Sequence, residues 1–572
     1  MNPQPDLLRN PPPPLPPRQI KLPSATETTL ANGLVVVVVE DPRLPLVSYR
    51  LALKTGDASD PAELPGLTDM LTGLLTEGTE SRTSRQIADE VARLGAVLQA
   101  GANSDYTTIA ASSLAQFGEN ILELMADVVL RPVFPQNEVD LTKQNTKESL
   151  KQQRAQPSFL ASEMVARIMF GEHPYSVTAP TPQSIDATTR DHLVEFHRSK
   201  FIANNGVLIV AGDVQNKSVI QQVESLFGNW QGGEVASNNF PAPPARSGRK
   251  AYVVDRPGSA QANIVIANPG ITRTSPDYFP MLLMHTVLGA NASSRLFMNL
   301  REEKGYTYGA YSSLDARRTA GTFRATAEVR TPVTGDSLKE FFYELNRIRD
   351  DAVSDKEIED AKSYLTGVFP IRLETQEGLI DQLVQIKMFG LPSNYLEIYR
   401  NRIQDVTVQQ IQQVANKYVK PHEAAIVIVG DGSQLADQVR PYAEDIEFYN
   451  TAGKRKNQPS GGGAVPHAVA ATLAGDWSLQ IETPLGQSIP ATLILANSVK
   501  GISGRVESEM GNGELQSASF DGESFAAIVA FDVAGHAMEA QLEGEVTDGQ
   551  IEGSISLQNA PPLPFTGTKA SE

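Results

Sequence analysis

Apolar and polar residues alternate along the chain in two recurring patterns up to residue 450. Short β-branched runs, such as NGLVVVVVE at residues 32–40, predict buried strands. Between such runs, apolar residues recur at i, i+3, i+4 and i+7, as in LPGLTDMLTGLLTEGT at residues 64–79, and predict amphipathic helices. Strands interleaved with helices of this kind predict a mixed fold that contains both α-helices and β-sheets.

The same arrangement of elements occurs twice. The segment FHRSKFIANNGVLIVAGDV at 196–214 matches VANKYVKPHEAAIVIVGDG at 414–432 in residue type: each has a helix end, a polar turn and a β-branched run that closes on Gly-Asp. This internal repeat predicts two homologous domains, at residues 24–231 and 251–450. The stretch between them, 232–250, is rich in Gly, Pro, Ser and Asn and predicts a linker.

The two ends of the chain have a different character. Residues 1–23 are rich in proline and predict an extended polyproline II arm, although Pro13 to Arg18 also matches the PxxPxR ligand of an SH3-type groove. Residues 451–466 have the composition of a flexible linker. Short alternating runs in 467–572 predict a small all-β sandwich or barrel, with Trp477 in its core.

Composition and charge exclude several classes of function. A net charge of −18 argues against nucleic acid, since clustered Lys and Arg side chains bind a phosphate backbone. The chain has no cysteine, which excludes disulfides, thiolate catalysis and cysteine-ligated zinc. No apolar run is long enough to predict a transmembrane segment. The first twenty residues lack the apolar core of a secretory signal, so the expected location is cytoplasmic. If a signal was removed, the protein is instead expected to be periplasmic or secreted.

Candidate chemistry lies on the helix predicted at 64–79. Residues four apart lie one above the other on a helix, so positions 69 and 73 could hold two ligands of one ion. The residues found there are Asp69 and Gly73, with Thr72 between them. A catalytic zinc needs three protein ligands, but Gly73 has no side chain and Thr72 cannot act as a general base at neutral pH. This helix is therefore predicted to hold no catalytic zinc.

Residues 32–79 resemble the opening of the zinc peptidase family that includes pitrilysin, insulinase and the mitochondrial processing peptidase. The family frame reads Gly-Leu-x-His-x-x-Glu-His-x-Leu and ends in Gly-Thr; here Gly66-Leu67 and Gly78-Thr79 match it. The resemblance implies that Asp69, Thr72 and Gly73 replace the two zinc-binding histidines and the glutamate that activates water.

The third zinc ligand of the family, a glutamate, corresponds to Ser149, with Glu148 adjacent. The resemblance therefore implies a degenerate site at all four chemical positions and no cofactor bound by this chain. A weak site for a hard cation, formed by Asp69 and Glu148, is the alternative.

The second half of the chain carries another motif. The segment NASSRLFMNLREEKGYTYGAYSS at 291–313 resembles the C-terminal Arg/Tyr motif of the family, here Arg301 and Tyr308. In active relatives this pair faces the zinc and holds the substrate backbone, and both side chains are suitable donors to a carbonyl or an oxyanion. The alternative is that Arg301 forms an ion pair with Glu302 and that Tyr308 packs within a strand.

The resemblance, which spans residues 24–450, implies an α+β architecture of two homologous processing-peptidase-like α/β-sandwich domains that form a bowl, followed by the small C-terminal all-β domain. In two-subunit relatives, one chain carries zinc and the other carries the Arg/Tyr pair. The implied function is a non-catalytic subunit of a heterodimeric zinc metalloendopeptidase, with a homologous zinc-bearing partner and a peptide or unfolded polypeptide as substrate. There are two alternatives. One is a scaffold or peptide-binding protein with no role in proteolysis, and the other is an independent hydrolase with a rebuilt site.

A histidine-containing stretch elsewhere in the chain superficially resembles a metal motif. DHLVEFHRSK at 191–200 places Glu195 between His192 and His197. Histidines five residues apart project about 140° apart around a helix, so both cannot face one ion. We therefore expect this stretch to be ordinary helix surface.

Overall fold

The computed structural model describes residues 23–235, 239–456 and 473–570, apart from gaps at 484–487, 499–500, 509–510, 521–523, 534–535, 548 and 558–561. The predicted polyproline arm and most of the 451–466 linker lie outside these residues. No helix in the described ranges has the length and apolar character needed to cross a membrane.

Each half of the repeat contains one mixed sheet. The first sheet has the order β1-β2-β6-β3-β5-β4, with β2 and β6 parallel and the other neighbours antiparallel. Its strands are β1 Ala25–Thr29, β2 Val35–Glu40, β3 Leu46–Leu53, β4 Val97–Ala102, β5 Thr107–Leu114 and β6 Gly206–Gly212. The second sheet has the order β13-β12-β7-β11-β8-β10-β9, with β7 parallel to both β11 and β12. Its strands are β7 Lys250–Asp255, β8 Gln261–Pro269, β9 Thr307–Ala316, β10 Gly321–Arg330, β11 Ala425–Gly430, β12 Asp445–Tyr449 and β13 Arg455–Lys456.

Helices connect the strands in both halves. Those of the first half are α1 Leu67–Leu74, α2 Ser84–Arg93, α3 Gly118–Leu130, α4 Gln136–Arg154, α5 Pro157–Phe170, α6 Pro182–Ala187, α7 Arg190–Lys200 and α8 Asn216–Phe227. Those of the second half are α9 Tyr278–Gly289, α10 Arg295–Phe297, a π-helical turn at Met298–Glu303, α11 Thr334–Asp350, α12 Asp355–Leu373, α13 Gln376–Phe389, α14 Tyr395–Gln404, α15 Val408–Tyr418 and α16 Gly432–Val439. The α+β prediction is confirmed.

The repeated segments occupy equivalent places in the two sheets. β6 and β11 are buried along their whole length, and each pairs in parallel with a strand near the start of its half, β2 or β7. The order β2-β6-β3-β5-β4 in the first sheet therefore corresponds to β7-β11-β8-β10-β9 in the second. The two halves therefore share one topology, as the internal repeat predicted.

Each sheet is covered on one face by a helix from the other half of the chain. On one face of β2, Val36 and Val38 join the core of the first half, whereas Val37 and Val39 on the other face pack with residues of α13, from the second half. Conversely, Leu160 and other apolar residues of α5, from the first half, pack on β7, β8 and β11. Successive side chains in a strand point to opposite faces of the sheet. Burial of both faces of β2 therefore explains why the apolar run at 35–39 is uninterrupted.

A hairpin also joins the halves. Residues 317–320 connect β9 to β10 and reach the buried carboxylate of Asp105 in the first half. The backbone N–H of Arg318 donates to Asp105 Oδ2 (3.0 Å), and the hydroxyl of Tyr175 donates to the other carboxylate oxygen. His173 Nε2 lies 3.0 Å from Thr319 Oγ1. These polar contacts, of which the Tyr175–Asp105 bond is buried, join the hairpin of the second half to the first half.

The C-terminal domain is a closed antiparallel barrel. Its strands follow one another in chain order, and the last pairs with the first. They are β14 Gly475–Glu482, β15 Ser488–Ser498, β16 Gly501–Ser508, β17 Gly511–Phe520, β18 Ser524–Val533, β19 His536–Thr547, β20 Gln550–Leu557 and β21 Leu563–Lys569. Trp477 is fully buried inside, and its Nε1 donates to the carbonyl of Leu473 (2.9 Å). Of the two predicted architectures, the barrel is the observed one, and Trp477 is a core residue.

Candidate functional site

Helix α1 carries the degenerate motif and is shorter than the sequence predicts. It begins after Gly66, which has φ 91°, a left-handed conformation that favours glycine. The carboxylate of Asp60 accepts hydrogen bonds from the backbone N–H groups of Gly66 (2.8 Å) and Thr68 (3.0 Å) and so caps the first turn. Apolar periodicity predicted a longer helix because it continues through Leu75, beyond the last helical residue.

The residues that match the family frame have structural roles. Leu67 and Leu75 are buried in the core of the first half. A Cβ added to Gly66 would lie 2.7 Å from the Cβ of Pro180, so only glycine fits there. Thr79 Oγ1 donates to Asp127 Oδ2 (2.7 Å) at a carboxylate that is completely buried. The frame is therefore what anchors α1 in the domain, whatever chemistry the helix carries.

The side chains at the chemical positions do not fit zinc. Thr72 is buried, and its hydroxyl donates to the backbone carbonyl of Asp69 (2.9 Å). Gly73 faces open space, with no atom within 4 Å of an added Cβ. Asp69 is solvent-accessible, but surrounding protein, and secondarily the charge of Asp57, raise its pKa to about 6. A single carboxylate beside an engaged hydroxyl and a glycine offers too few ligands for a catalytic zinc site.

The position of the third ligand is equally unsuited. Ser149 lies exposed on α4, and the neighbouring Glu148 pairs with Lys151 (3.0 Å) on the same helix. Nowhere in the described ranges do three or more His, Asp or Glu side chains form a group that could hold a metal ion. The alternative of an Asp69/Glu148 cation site has no support from this geometry.

Gly73 provides a test of the local structure. We expect Gly73→Ala to raise the unfolding free energy by about 0.5–1 kcal/mol, because glycine in a helix interior costs conformational entropy and the added methyl meets no atom. Gly66→Ala, the matched control, is expected to lower it by more than about 1 kcal/mol, because a non-glycine residue is strained at φ 91°. Urea unfolding, followed by circular dichroism, measures the unfolding free energy of both variants. Equal changes in the two variants would contradict the assigned conformations of Gly66 and Gly73.

The Arg/Tyr motif presents its side chains to solvent. Arg301 lies in the π-helical turn with its side chain 45% exposed; its guanidinium stacks 4.7 Å from the centroid of the Phe297 ring. Its Nη1 is 3.5 Å from Glu302 Oε1, an exposed contact that contributes little to stability. Tyr308, on the edge strand β9, is 90% exposed. Tyr308 therefore has no packing role within its strand.

An unpaired strand edge lies beside α1. β4 forms one border of the first sheet; among the described strands it pairs only with β5, and α1 packs against it. The backbone N–H and C=O groups along its outer side can pair with an added chain. Sequence patterns did not identify this edge, because alternation predicts a strand but not whether both of its sides are paired.

The histidine stretch at 191–200 differs from its predicted surface position. His192 Nδ1 accepts a hydrogen bond from the backbone N–H of Thr189 and belongs to the N-terminal cap of α7. His197 is partly buried: its Nε2 is 2.8 Å from the carbonyl of Val129, and burial lowers its pKa. The predicted surface position therefore holds only in part for His197, because its ring contacts Val129 at the end of α3 and the ring of Phe134. The two imidazoles have separate structural partners.

Two models of one protein family match the chain. The family described as insulinase (peptidase family M16) matches residues 35–183, and the peptidase M16 inactive domain matches residues 187–365. An uncharacterised zinc protease of Mycobacterium leprae is 26% identical over 407 residues, which cover 70% of this chain and 91% of the relative. A probable β subunit of the mitochondrial processing peptidase from Arabidopsis thaliana is 22% identical over 430 residues, covering 73% and 80%.

Solved structures share the fold. The crystal structure of a peptidase M16 inactive domain from Pseudomonas fluorescens superposes with a TM-score of 0.67 at 27% identity, covering 71% of this chain and 98% of the other. A protease from Helicobacter pylori gives the same TM-score at 20% identity, covering 71% and 100%, and supports the fold alone. The resemblance inferred from the sequence is thus confirmed, and the two family matches together cover more than half of the chain. This chain belongs to the M16 peptidase family.

Proposed function

We propose that this chain is the non-catalytic subunit of a heterodimeric zinc metalloendopeptidase. It supplies Arg301, Tyr308 and half of a peptide-holding chamber, and a homologous partner supplies the metal and the general base. The observation that carries the proposal is an asymmetry between the two motifs. The α1 positions that would perform hydrolysis hold Thr72 and Gly73, whereas Arg301 and Tyr308 remain accessible on the second half.

The chemistry of the Arg/Tyr pair suits a supporting role. A guanidinium offers several N–H donors in a fixed plane, and its stacking on Phe297 restricts the Arg301 side chain before any ligand arrives. The hydroxyl of Tyr308 is a further donor on an exposed strand. Both groups can donate to a peptide carbonyl and to the oxyanion that develops from it, without taking part in proton transfer.

The free edge of β4 supports polypeptide binding. An extended peptide that added to β4 would form main-chain hydrogen bonds independent of its sequence, next to α1. Such pairing requires an extended segment, which an unfolded polypeptide provides and a folded domain does not. The proposed substrate is therefore a peptide or an unfolded polypeptide.

A second candidate is a peptide-binding protein with no role in proteolysis. The observation that favours it is that the open edge of β4 is complete within this chain and needs no contribution from a partner. The exposed positions of Arg301 and Tyr308 favour the first candidate, since peptide capture on β4 does not require them.

Mixing the chains tests the proposal. This chain and a homologue with an intact His-x-x-Glu-His motif are assayed on a quenched fluorescent peptide, separately and together. Activity is expected only in the mixture, with a maximum when the two are equimolar. The control is a partner whose motif glutamate is replaced by glutamine, which should leave the mixture inactive. Full activity of the partner alone, or zinc-dependent activity of this chain alone, would overturn the proposal.

A further inference from the structure

A polar cavity of 530 Å³ lies where the two halves meet. On one side it is bounded by the end of β4, at Gly101 and Ala102, and by Arg50 of β3. On the other side it is bounded by α12, α13 and α14 of the second half and by Arg273, which precedes α9. The cavity therefore opens beside the unpaired sheet edge but belongs to neither motif.

Positive charge collects in this cavity although the protein carries a net charge of −18. Three arginines line it: Arg50, Arg273 and Arg372. Arg50 is paired, with its Nη1 2.9 Å from Asp381 Oδ1 and its Nη2 bonded to Glu377. Neither of the other two has a carboxylate within ion-pair distance in the described part of the chain. Asp381, the one carboxylate among the described lining residues, is already paired with Arg50, so the other two guanidiniums favour an anionic ligand.

Arg273 is held in place by aromatic side chains. Its guanidinium carbon lies 3.9 Å from the centroid of the Tyr278 ring and 5.1 Å from that of Tyr395. Its Nη2 donates to the hydroxyl of Tyr395 (2.8 Å), which leaves other N–H groups of the guanidinium for a ligand. A donor fixed in this way loses little conformational entropy on binding, so its hydrogen bonds contribute more of their strength to affinity.

We infer that this cavity binds a carboxylate of the polypeptide held on β4, either an acidic side chain or the C-terminal carboxylate. The assignment rests on the proposed function only in taking a polypeptide along β4 as the ligand. Side chains of an added strand alternate in direction, so a residue paired near Gly101 can reach the cavity. The planar guanidiniums of Arg273 and Arg372 can each bond both oxygens of a carboxylate. The cavity thus selects substrates by charge.

Three labelled peptides test this inference on the full chain. All are short, rich in Ala and Ser and of one length: one is capped at both ends with a central Glu, one is capped with Gln there, and one has Gln with a free C-terminal carboxylate. We expect at least one carboxylate peptide to bind about tenfold more tightly than the capped Gln peptide in fluorescence anisotropy. The peptide that binds more tightly identifies the side chain or the chain terminus as the source.

Arginine variants locate the effect. Arg273→Gln/Arg372→Gln should abolish the preference, whereas Arg85→Gln/Arg440→Gln, which removes the same charge from two exposed sites, should preserve it. Equal affinity for all three peptides, or equal loss in both double variants, would overturn the inference. Circular dichroism confirms that each variant is folded.

The outcome is separable from that of the mixing assay. Activity of the mixture with no carboxylate preference would refute the cavity assignment and leave the proposed function intact. A carboxylate preference in this chain with an inactive mixture would refute the heterodimeric peptidase and leave the cavity assignment in place.

Discussion

In the mixed heterodimer, Arg301→Ala is expected to lower kcat/KM by about 100-fold, and Tyr308→Phe by about tenfold. The larger loss for Arg301 follows from its charge and its several donors, which stabilise a developing oxyanion more strongly than one neutral hydroxyl. The loss should appear mainly in kcat, because donors aimed at charge that develops during reaction stabilise the transition state more than the bound substrate. Steady-state kinetics on the quenched fluorescent peptide measure both parameters.

Matched variants separate this role from general damage. Arg85→Ala and Tyr343→Phe alter an arginine and a tyrosine that are exposed outside the motif, and should leave kcat/KM unchanged. Arg301→Lys should recover part of the activity, because it restores the charge but not the planar fork. Unchanged kinetics with Arg301→Ala, in a mixture shown to form the complex, would contradict the proposed donor role.

The largest expected effect on stability comes from Asp127→Asn. Asp127 is fully buried and accepts hydrogen bonds from Thr79, Ser81 and two arginines, Arg82 (2.8 Å) and Arg131 (2.8 Å). The amide removes the negative charge and leaves both guanidiniums beside a neutral group. We expect a loss of about 3 kcal/mol in the unfolding free energy at neutral pH, measured by urea unfolding.

The dependence of this effect on pH has a definite sign. Burial alone would raise the pKa of Asp127, but hydrogen bonds from Thr79 and from its other donors outweigh it and hold the pKa below its usual value. The stabilisation is therefore present above the unfolded-state pKa of about 4 and is lost as the pH falls through the lower folded-state pKa. The difference in unfolding free energy between the wild type and Asp127→Asn should therefore become smaller as the pH falls over that range.

Asp140→Asn is the control for Asp127. Asp140 is exposed on α4 and accepts one hydrogen bond from Gln136 (2.9 Å), so its change should alter stability by no more than about 0.5 kcal/mol. If the difference in unfolding free energy between the wild type and Asp127→Asn stayed constant down to acidic pH, the charge of Asp127 would not stabilise the fold.

Asp127 also explains how a degenerate motif keeps its surroundings. Thr79, the last residue of the family frame, is tied to this carboxylate, and Gly66, the first, has a conformation and a contact with Pro180 that require glycine. Neither residue depends on a metal. A chain can therefore lose the ligand positions at 69 and 73 without losing the helix that carried them.

Local patterns in the sequence were enough to predict the elements and their repetition. The runs that end at Gly212 and Gly430 predicted equivalent buried strands, and the alternation after residue 467 predicted a β domain around Trp477. These predictions succeeded because periodicity reports which side chains are buried, a property that each segment largely encodes alone. The degenerate motif could also be recognised from the sequence, because glycine has no side chain that could bind a metal in any fold.

Local patterns did not predict which element covers each buried face. The run at 35–39 required burial on both sides, but nothing local indicated that α13, from the other half of the chain, packs on one of them. The same holds for the open edge of β4 and for the cavity that brings Arg50 and Arg273 together. Such contacts join residues hundreds of positions apart. They depend on the packing of whole domains, which periodicity within a segment cannot encode.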